Sequence, residues 1–335
     1  RARNCRWSAS PLSSNTPTNR PRKRVASPIP RGRANPDTGS DTNTMQITLL
    51  DGGMGQELVA RSPDEPTGLW STKIMMDHPH LVSDVHRDYF RAGADIATVN
   101  SYAIHRDRLV PHGLEDLFAD LHRTACELAC AARDEAGLGR VAGSLGPLGW
   151  SYSHEGAPPA DAAAELYREI CEIQSPYVDL FLIETIATVE QADGALRGAH
   201  GHGKPVWLAV TIDDGDGTKL RSGERLASLA AVLSDHPPEA ILLNCSTPEA
   251  IQQGLSVLRD FALPFGAYAN GFVRIESYFL EADSAVDGLE AREDLSPAAY
   301  ADFVDTWLAM GASIVGGCCE VGPAHIAAIA ERVGR

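Results

Sequence analysis

The sequence predicts a single-domain (β/α)₈ barrel, on three observations. Eight short apolar runs alternate with helix-patterned segments across about 290 of the 335 residues. Seven polar residues, Asp51, Asn100, Glu184, Cys245, Asn270, Cys318 and Cys319, fall at the C-terminal ends of those runs. In a barrel those ends form the catalytic face. A composition 44% hydrophobic and 22% charged suits one large globular domain. A doubly wound open sheet is the alternative, but it needs no eighth strand returning beside the sixth.

Residues 1–44 stand apart. They hold nine Lys/Arg and two acids among Ser, Pro, Asn and Thr, with almost no aliphatic pattern. The expectation is a disordered basic tail, either translated from upstream of a true start at Met45 or serving as an interaction arm. The barrel is expected over 45–335. It is strongly acidic, which disfavours nucleic acid or an anionic membrane as partner. No run approaches a membrane span. Seven irregularly spaced cysteines suggest reduced thiols and a cytoplasmic setting.

The first strand is Ile47–Leu50, followed by the Gly-rich loop Asp51-Gly52-Gly53-Met54-Gly55, which matches neither GxGxxG nor a P-loop. Its glycines are expected to let backbone approach a ligand. Asp51 is either a turn cap or a presented carboxylate. Leu81, Val82, Val85, Tyr89 and Phe90 recur at helical spacing over Pro79–Ala92, and Gly93 closes that helix. Ala94–Asn100 is the second strand. A long helix follows, carrying His122, Cys126 and Cys130 on one face. These form a rival metal site, but the segment is Ala-rich and a buried cysteine behaves as a small hydrophobe, so core packing is expected there.

Arg140–Pro147 is the third strand with its turn, and 150–159 is long enough for a lid. Tyr177–Ile183, a fourth strand after a helix over 160–175, ends in Glu184-Thr185. An acid behind seven mostly apolar residues is placed to be presented. Helix 191–200 leads to strand Pro205–Val210. The Asp213–Gly217 stretch fails as a calcium loop, since Lys219 and Arg225 stand where Gly and Glu are required. Strand Ala240–Asn244 ends at Cys245 and strand Pro264–Ala269 ends at Asn270, with helix 248–259 between them. The segment 271–294 reads as acidic and irregular. Helix 298–310, strand Ala312–Val315 and helix 323–332 complete the chain.

Gly316-Gly317-Cys318-Cys319 is an unusual use of sulfur. Neighbours on an extended chain face opposite ways, so the paired glycines are expected to bend the backbone until both thiols converge. With Cys245, on a strand two units earlier, three thiolates would hold a zinc ion and leave its fourth position open. Core packing of Cys245 and a strained vicinal disulfide at 318–319 are the alternatives. Three-thiolate zinc is electron-rich and suits a substrate thiol, which would ionise there and attack a methyl on a sulfonium or ammonium centre. Glu184 with Asp51 would hold the α-ammonium of an amino-acid thiol.

These residues bring the chain into resemblance with the homocysteine S-methyltransferase family over residues 46–333. The matching motifs are Leu50–Gly55 with Glu57-Leu58, Asp88–Asp95, Gly143–Pro147, Ile183-Glu184-Thr185, Asn244-Cys245 and Gly316–Cys319. The resemblance implies a zinc-dependent barrel that methylates homocysteine to methionine. It implies Cys245, Cys318 and Cys319 as zinc ligands, Asp51 and Glu184 at the homocysteine amino group, and Asn270 in the pocket lining. The chain departs from the family at Tyr268-Ala269-Asn270, where many members have Tyr-Pro-Asn. It also lacks a Gly-Ser-Glu-Tyr segment after Pro147, which puts the donor side in question.

At 335 residues the chain is too short to add folate and cobalamin domains to the barrel, and 16 residues follow Cys319, so a direct donor is expected. S-methylmethionine is the first choice, with S-adenosylmethionine secondary and betaine or another onium the alternative. A zinc-binding barrel without transferase activity, a regulatory thiol protein and a zinc hydrolase remain as other readings. The protein is expected to be a monomer or small homo-oligomer with small-molecule substrates.

Overall fold

The computed structural model describes residues 46–64, 68–153, 155–275 and 289–335. The expectations for the basic tail, and for most of 271–294, lie outside them. Eight parallel strands run β1 (Thr48–Leu49), β2 (Ile96–Thr98), β3 (Arg140–Leu145), β4 (Leu180–Ile186), β5 (Val206–Val210), β6 (Ala240–Asn244), β7 (Phe265–Tyr268) and β8 (Ile314–Val315). They are ordered β1-β8-β7-β6-β5-β4-β3-β2. One parallel bridge from Leu50 to Ile96 brings β2 back to β1 and closes the ring. The barrel expectation therefore holds, and the open sheet is excluded.

Each strand is buried on both faces, as a parallel barrel requires. Alternation divides the side chains. Phe181 and Ile183, Leu208 and Val210, Ile241 and Leu243 pack outward with the helices. Leu180 and Leu182, Trp207 and Ala209, Ala240 and Leu242 fill the interior with Leu50, Ile96, Ala142, Tyr268 and Ile314. That inner layer is a packed plug, so ligand space exists only above it, at the strands' C-terminal ends.

Helices over Pro79–Arg91, Ala160–Gln174, Val189–Ala199, Pro248–Leu258, Pro297–Ala309 and Pro323–Arg332 lie within one or two residues of expectation, and the expected long helix spans Phe118–Ala136. Two eight-residue helices were not legible, and neither was the single turn of helix at Arg106–Leu109. Helices Met54–Arg61 and Trp70–Asp77 follow β1, where the sequence reads as glycine-rich and polar. The fourth strand also runs three residues later than expected. It contains Glu184 and Thr185 and carries a register shift between Ile183 and Ile186. The Asp213 carboxylate accepts from the backbone N–H of Gly215 and Asp216, so the acidic stretch is a turn, as expected. Among the described residues, no helix is long and apolar enough to cross a membrane.

Candidate metal and substrate site

Cys245 sits one residue past Asn244 in β6. Alternation alone would aim its side chain outward, because Asn244 continues the inward series Ala240 and Leu242. A backbone φ of +48° at Cys245 turns it back toward the barrel mouth. Thr185, after the inward Glu184 of β4, is also left-handed, with φ +59°. Asn244 clamps it. The Thr185 N–H donates to Asn244 Oδ1 at 3.0 Å, and Asn244 Nδ2 donates to Thr185 Oγ1 at 2.9 Å. Non-glycine residues persist in this region only where surroundings over-determine them, which is common at functional sites.

Cys318 and Cys319 lie in a turn sewn to both neighbouring strand ends. The Cys318 N–H donates to Ala269 O at 2.9 Å, Gly271 N–H to Cys319 O at 2.8 Å, and Gly317 N–H to Asp51 O at 2.9 Å. The glycines work differently from expectation. Neither Gly316 nor Gly317 has a left-handed φ, so they supply space rather than backbone freedom. A Cβ at Gly316 would stand 2.6 Å from Leu50 Cβ, and one at Gly317 would stand 2.1 Å from Val321 Cγ1. In the first loop, a Cβ at Gly52 would meet Val321 O at 2.0 Å and one at Gly53 would meet Cys318 O at 2.6 Å. Those glycines admit the cysteine turn, and Gly52, Gly53 and Gly55 also line the cavity beside the sulfurs, so the same loop brings backbone close to a ligand as expected.

The three sulfurs lie within 4.8 Å of one another. Cys245 Sγ and Cys319 Sγ are 3.9 Å apart. Bonds of about 2.3 Å in a tetrahedral zinc site put sulfurs roughly 3.8 Å apart. The donor set and spacing thus fit a soft divalent cation. It is the sole metal-ligating cluster of three or more such side chains found among the described residues. The sulfurs divide their protons unequally. Hydrogen bonds from Cys318 and Cys319 hold Cys245 well below the ordinary thiol range, while donating to Cys245 pushes Cys318 well above it. The rival set is core. His122 Nε2 bonds Ile104 O at 3.1 Å, its Nδ1 meets Gln174 at 3.0 Å, and the Cys130 thiol donates to Tyr177 O.

A cavity opens beside the sulfurs, lined by Asp51, Thr98, Glu184, Cys245, Cys318 and Cys319 among others. Asp51 Oδ2 accepts from the Thr98 N–H at 2.6 Å and Oδ1 from the Thr98 hydroxyl at 2.8 Å. Glu184 Oε2 accepts from Ser144 Oγ at 2.6 Å and Oε1 from the Tyr268 hydroxyl at 3.1 Å. Burial pushes both carboxyls up to about 7, and Asp51 adds repulsion at Glu184. Two acids held this way favour a cation from the ligand.

Five of the six candidate residues meet in this cavity. Asn100, the other polar strand-end residue, lines it too. Asn270 does not line it. Its Oδ1 accepts from the Phe272 N–H at 3.3 Å, and it lies between Ala269 and Gly271, the residues that grip the cysteine turn. Sequence reasoning missed Trp70, Tyr102 and Tyr152, whose side chains also line the cavity. Trp70 sits on the unrecognised second helix. Tyr152 lies in the expected lid loop, where no periodicity marks one residue over another.

A family model described as homocysteine S-methyltransferase matches residues 48–333. The chain is 31% identical to "Homocysteine S-methyltransferase" of Escherichia coli (strain K12), over 85% of this chain and 95% of that one. It is 30% identical to "Homocysteine S-methyltransferase 4" of Zea mays, over 85% and 89%. The solved structure of the homocysteine methyltransferase MmuM from Escherichia coli in its metallated form superposes with a TM-score of 0.73. That pair is 28% identical, and the match covers 87% of this chain and 97% of that one.

Proposed function

Since the chain belongs to the homocysteine S-methyltransferase family, we propose that it transfers a methyl group from a sulfonium donor, first S-methylmethionine, to L-homocysteine, giving methionine. One observation carries this reading. Three converging sulfurs and two buried carboxylates share one cavity, and an amino-acid thiol has a group for each.

A zinc ion at Cys245, Cys318 and Cys319 would stabilise the thiolate form of the substrate sulfur at neutral pH. The remaining work falls to the chain. Asp51 and Glu184 take the α-ammonium, each already oriented by two donors, so little ordering is left for the moment of binding. Trp70 and Tyr102 offer an apolar, quadrupole-rich wall suited to a methyl-bearing cation. The substrate sulfur forms a bond to the methyl carbon as the donor's methyl–sulfur bond breaks. The bonding pair leaves with the donor sulfur as a neutral thioether. The thiol proton goes to solvent on binding. With S-methylmethionine both products are methionine.

The test is methionine formation from homocysteine, followed by mass spectrometry with methyl-labelled S-methylmethionine, S-adenosylmethionine, betaine and dimethylsulfoniopropionate supplied separately. Label is expected first from S-methylmethionine. Label from betaine alone would replace the donor assignment. No label from any donor, with metal bound, would overturn the transferase reading.

A further inference from the structure

Tyr152 occupies a position that the chemistry so far leaves unused. Its hydroxyl lies 3.1 Å from Cys245 Sγ. Its backbone is left-handed, with φ +64°, and its side chain packs with Cys245 and Phe272. The chain on either side is pinned. Ser151 Oγ meets the Tyr102 hydroxyl at 2.8 Å, and Ser153 O accepts from Gln191 Nε2 at 3.1 Å. Gln191 is itself held, since its Oε1 accepts from the Ala187 N–H at 2.9 Å.

The ring is fixed from behind as well. The Arg221 guanidinium lies 5.6 Å from its centroid. Arg221 is nearly buried and pairs with Asp214 at 2.8 Å. Asp214 in turn accepts from the Thr247 N–H at 3.0 Å, two residues beyond Cys245. A chain of contacts thus runs from the lid loop through Arg221 and Asp214 back to the turn that carries Cys245. Loop residues are rarely secured on so many sides unless their position matters.

We propose that Tyr152 is a positioning residue for the metal-ligating sulfur of Cys245, donating its O–H to that sulfur, and that Arg221 holds the ring in place for it. This rests on the metal reading above. A hydrogen bond to a ligand thiolate draws electron density from it, so the cation it binds stays a stronger acid toward an incoming thiol. Three thiolates on a divalent cation already carry a net negative charge, and a fourth sulfur adds to it. A neutral donor offsets that charge without introducing a cation to compete with Asp51 and Glu184 for the substrate ammonium.

The experiment uses the cobalt(II)-loaded protein, in which thiolate-to-metal charge transfer reports on sulfur electron density. Tyr152→Phe removes one oxygen and keeps the ring. It should bind one cobalt per chain and shift the charge-transfer bands to lower energy. The KM for homocysteine should rise about three- to tenfold, while the KM for the methyl donor stays the same. Arg221→Gln should give a smaller shift in the same direction, and Tyr102→Phe, whose hydroxyl faces Ser151, should give none. Unchanged bands in Tyr152→Phe overturn the inference while leaving the metal site intact. A changed donor KM with unchanged bands would make Tyr152 a donor contact instead. Wild-type protein that takes up no cobalt overturns the metal reading and this inference with it.

Discussion

Glu184 shows what single-residue reasoning can and cannot reach. Its place behind an apolar run marks it in the sequence, and inward alternation with Leu180 and Leu182 then puts it over the packed plug. Its partners, Ser144 and Tyr268, come from strands β3 and β7, and no local pattern names them. Burial raises its pKa to about 7, so between about pH 4.5 and 7 the folded chain holds a proton that the unfolded chain has released. Stability therefore falls as pH rises through that window, and Glu184→Gln should raise the melting temperature at pH 8. The same change should lower kcat/KM for homocysteine by about 10- to 100-fold, the scale of a charged hydrogen bond. In the wild type kcat/KM should climb as pH rises through about 7, because the ammonium is held by the ionised carboxylate. Initial rates from pH 5.5 to 8.5 check both. A profile identical in Glu184→Gln and wild type would remove Glu184 from substrate binding.

Cys319→Ala tests the sulfur cluster at the same scale. It should reduce zinc content from one per chain to well below one by elemental analysis, with loss of methyl transfer. Full retention would contradict the ligand assignment.

At the scale of elements, the site depends on strand ends that leave regular geometry. Thr185 and Cys245 are both left-handed, and Asn244, a residue of the Asn-Cys motif, holds the first of them from two strands away, across the barrel mouth from β6 to β4. Asn244→Ala would strand the buried Thr185 N–H and hydroxyl. We expect a loss of about 1–3 kcal/mol, read as a lower urea midpoint with an unchanged slope. The loss should be accompanied by weaker homocysteine binding, since Thr185 adjoins Glu184. An unchanged midpoint would mean that Thr185 adopts its conformation without the clamp. Two of the helices that escaped the sequence reading belong here too. Met54–Arg61 and Trp70–Asp77 are eight residues each, too short for their periodicity to stand out beside a glycine-rich loop.

For the molecule as a whole, the sulfurs join parts of the chain that are far apart in sequence. Cys245 comes from the end of β6 and the Cys318-Cys319 turn from the end of β8, on either side of β7. A cation bound there would tie the last quarter of the barrel together. Metal that binds only the folded chain stabilises it by about 4 kcal/mol at a thousandfold excess over Kd. Removing it with a chelator should lower the melting temperature of the wild type by several degrees and leave Cys319→Ala unmoved. Calorimetry with and without chelator makes that comparison. Equal transitions in wild type would mean that the cluster binds no metal in the native state.

The sequence by itself determined the alternation of strand and helix, the class of barrel and the polar residues at the strand ends. Those properties follow from hydrophobic period and from which residue types burial tolerates, and both are written locally. It also marked the three cysteines, because adjacent thiols after an apolar run have few other uses. Only the tertiary structure decided that Asn270 falls outside the cavity lining, between the two residues whose backbones bond the cysteine turn. It also decided that the paired glycines make room rather than bends, and that Tyr152 reaches Cys245. Each of these is a contact between residues far apart in the chain, and such contacts are fixed by the closure of the barrel, which no window of sequence contains.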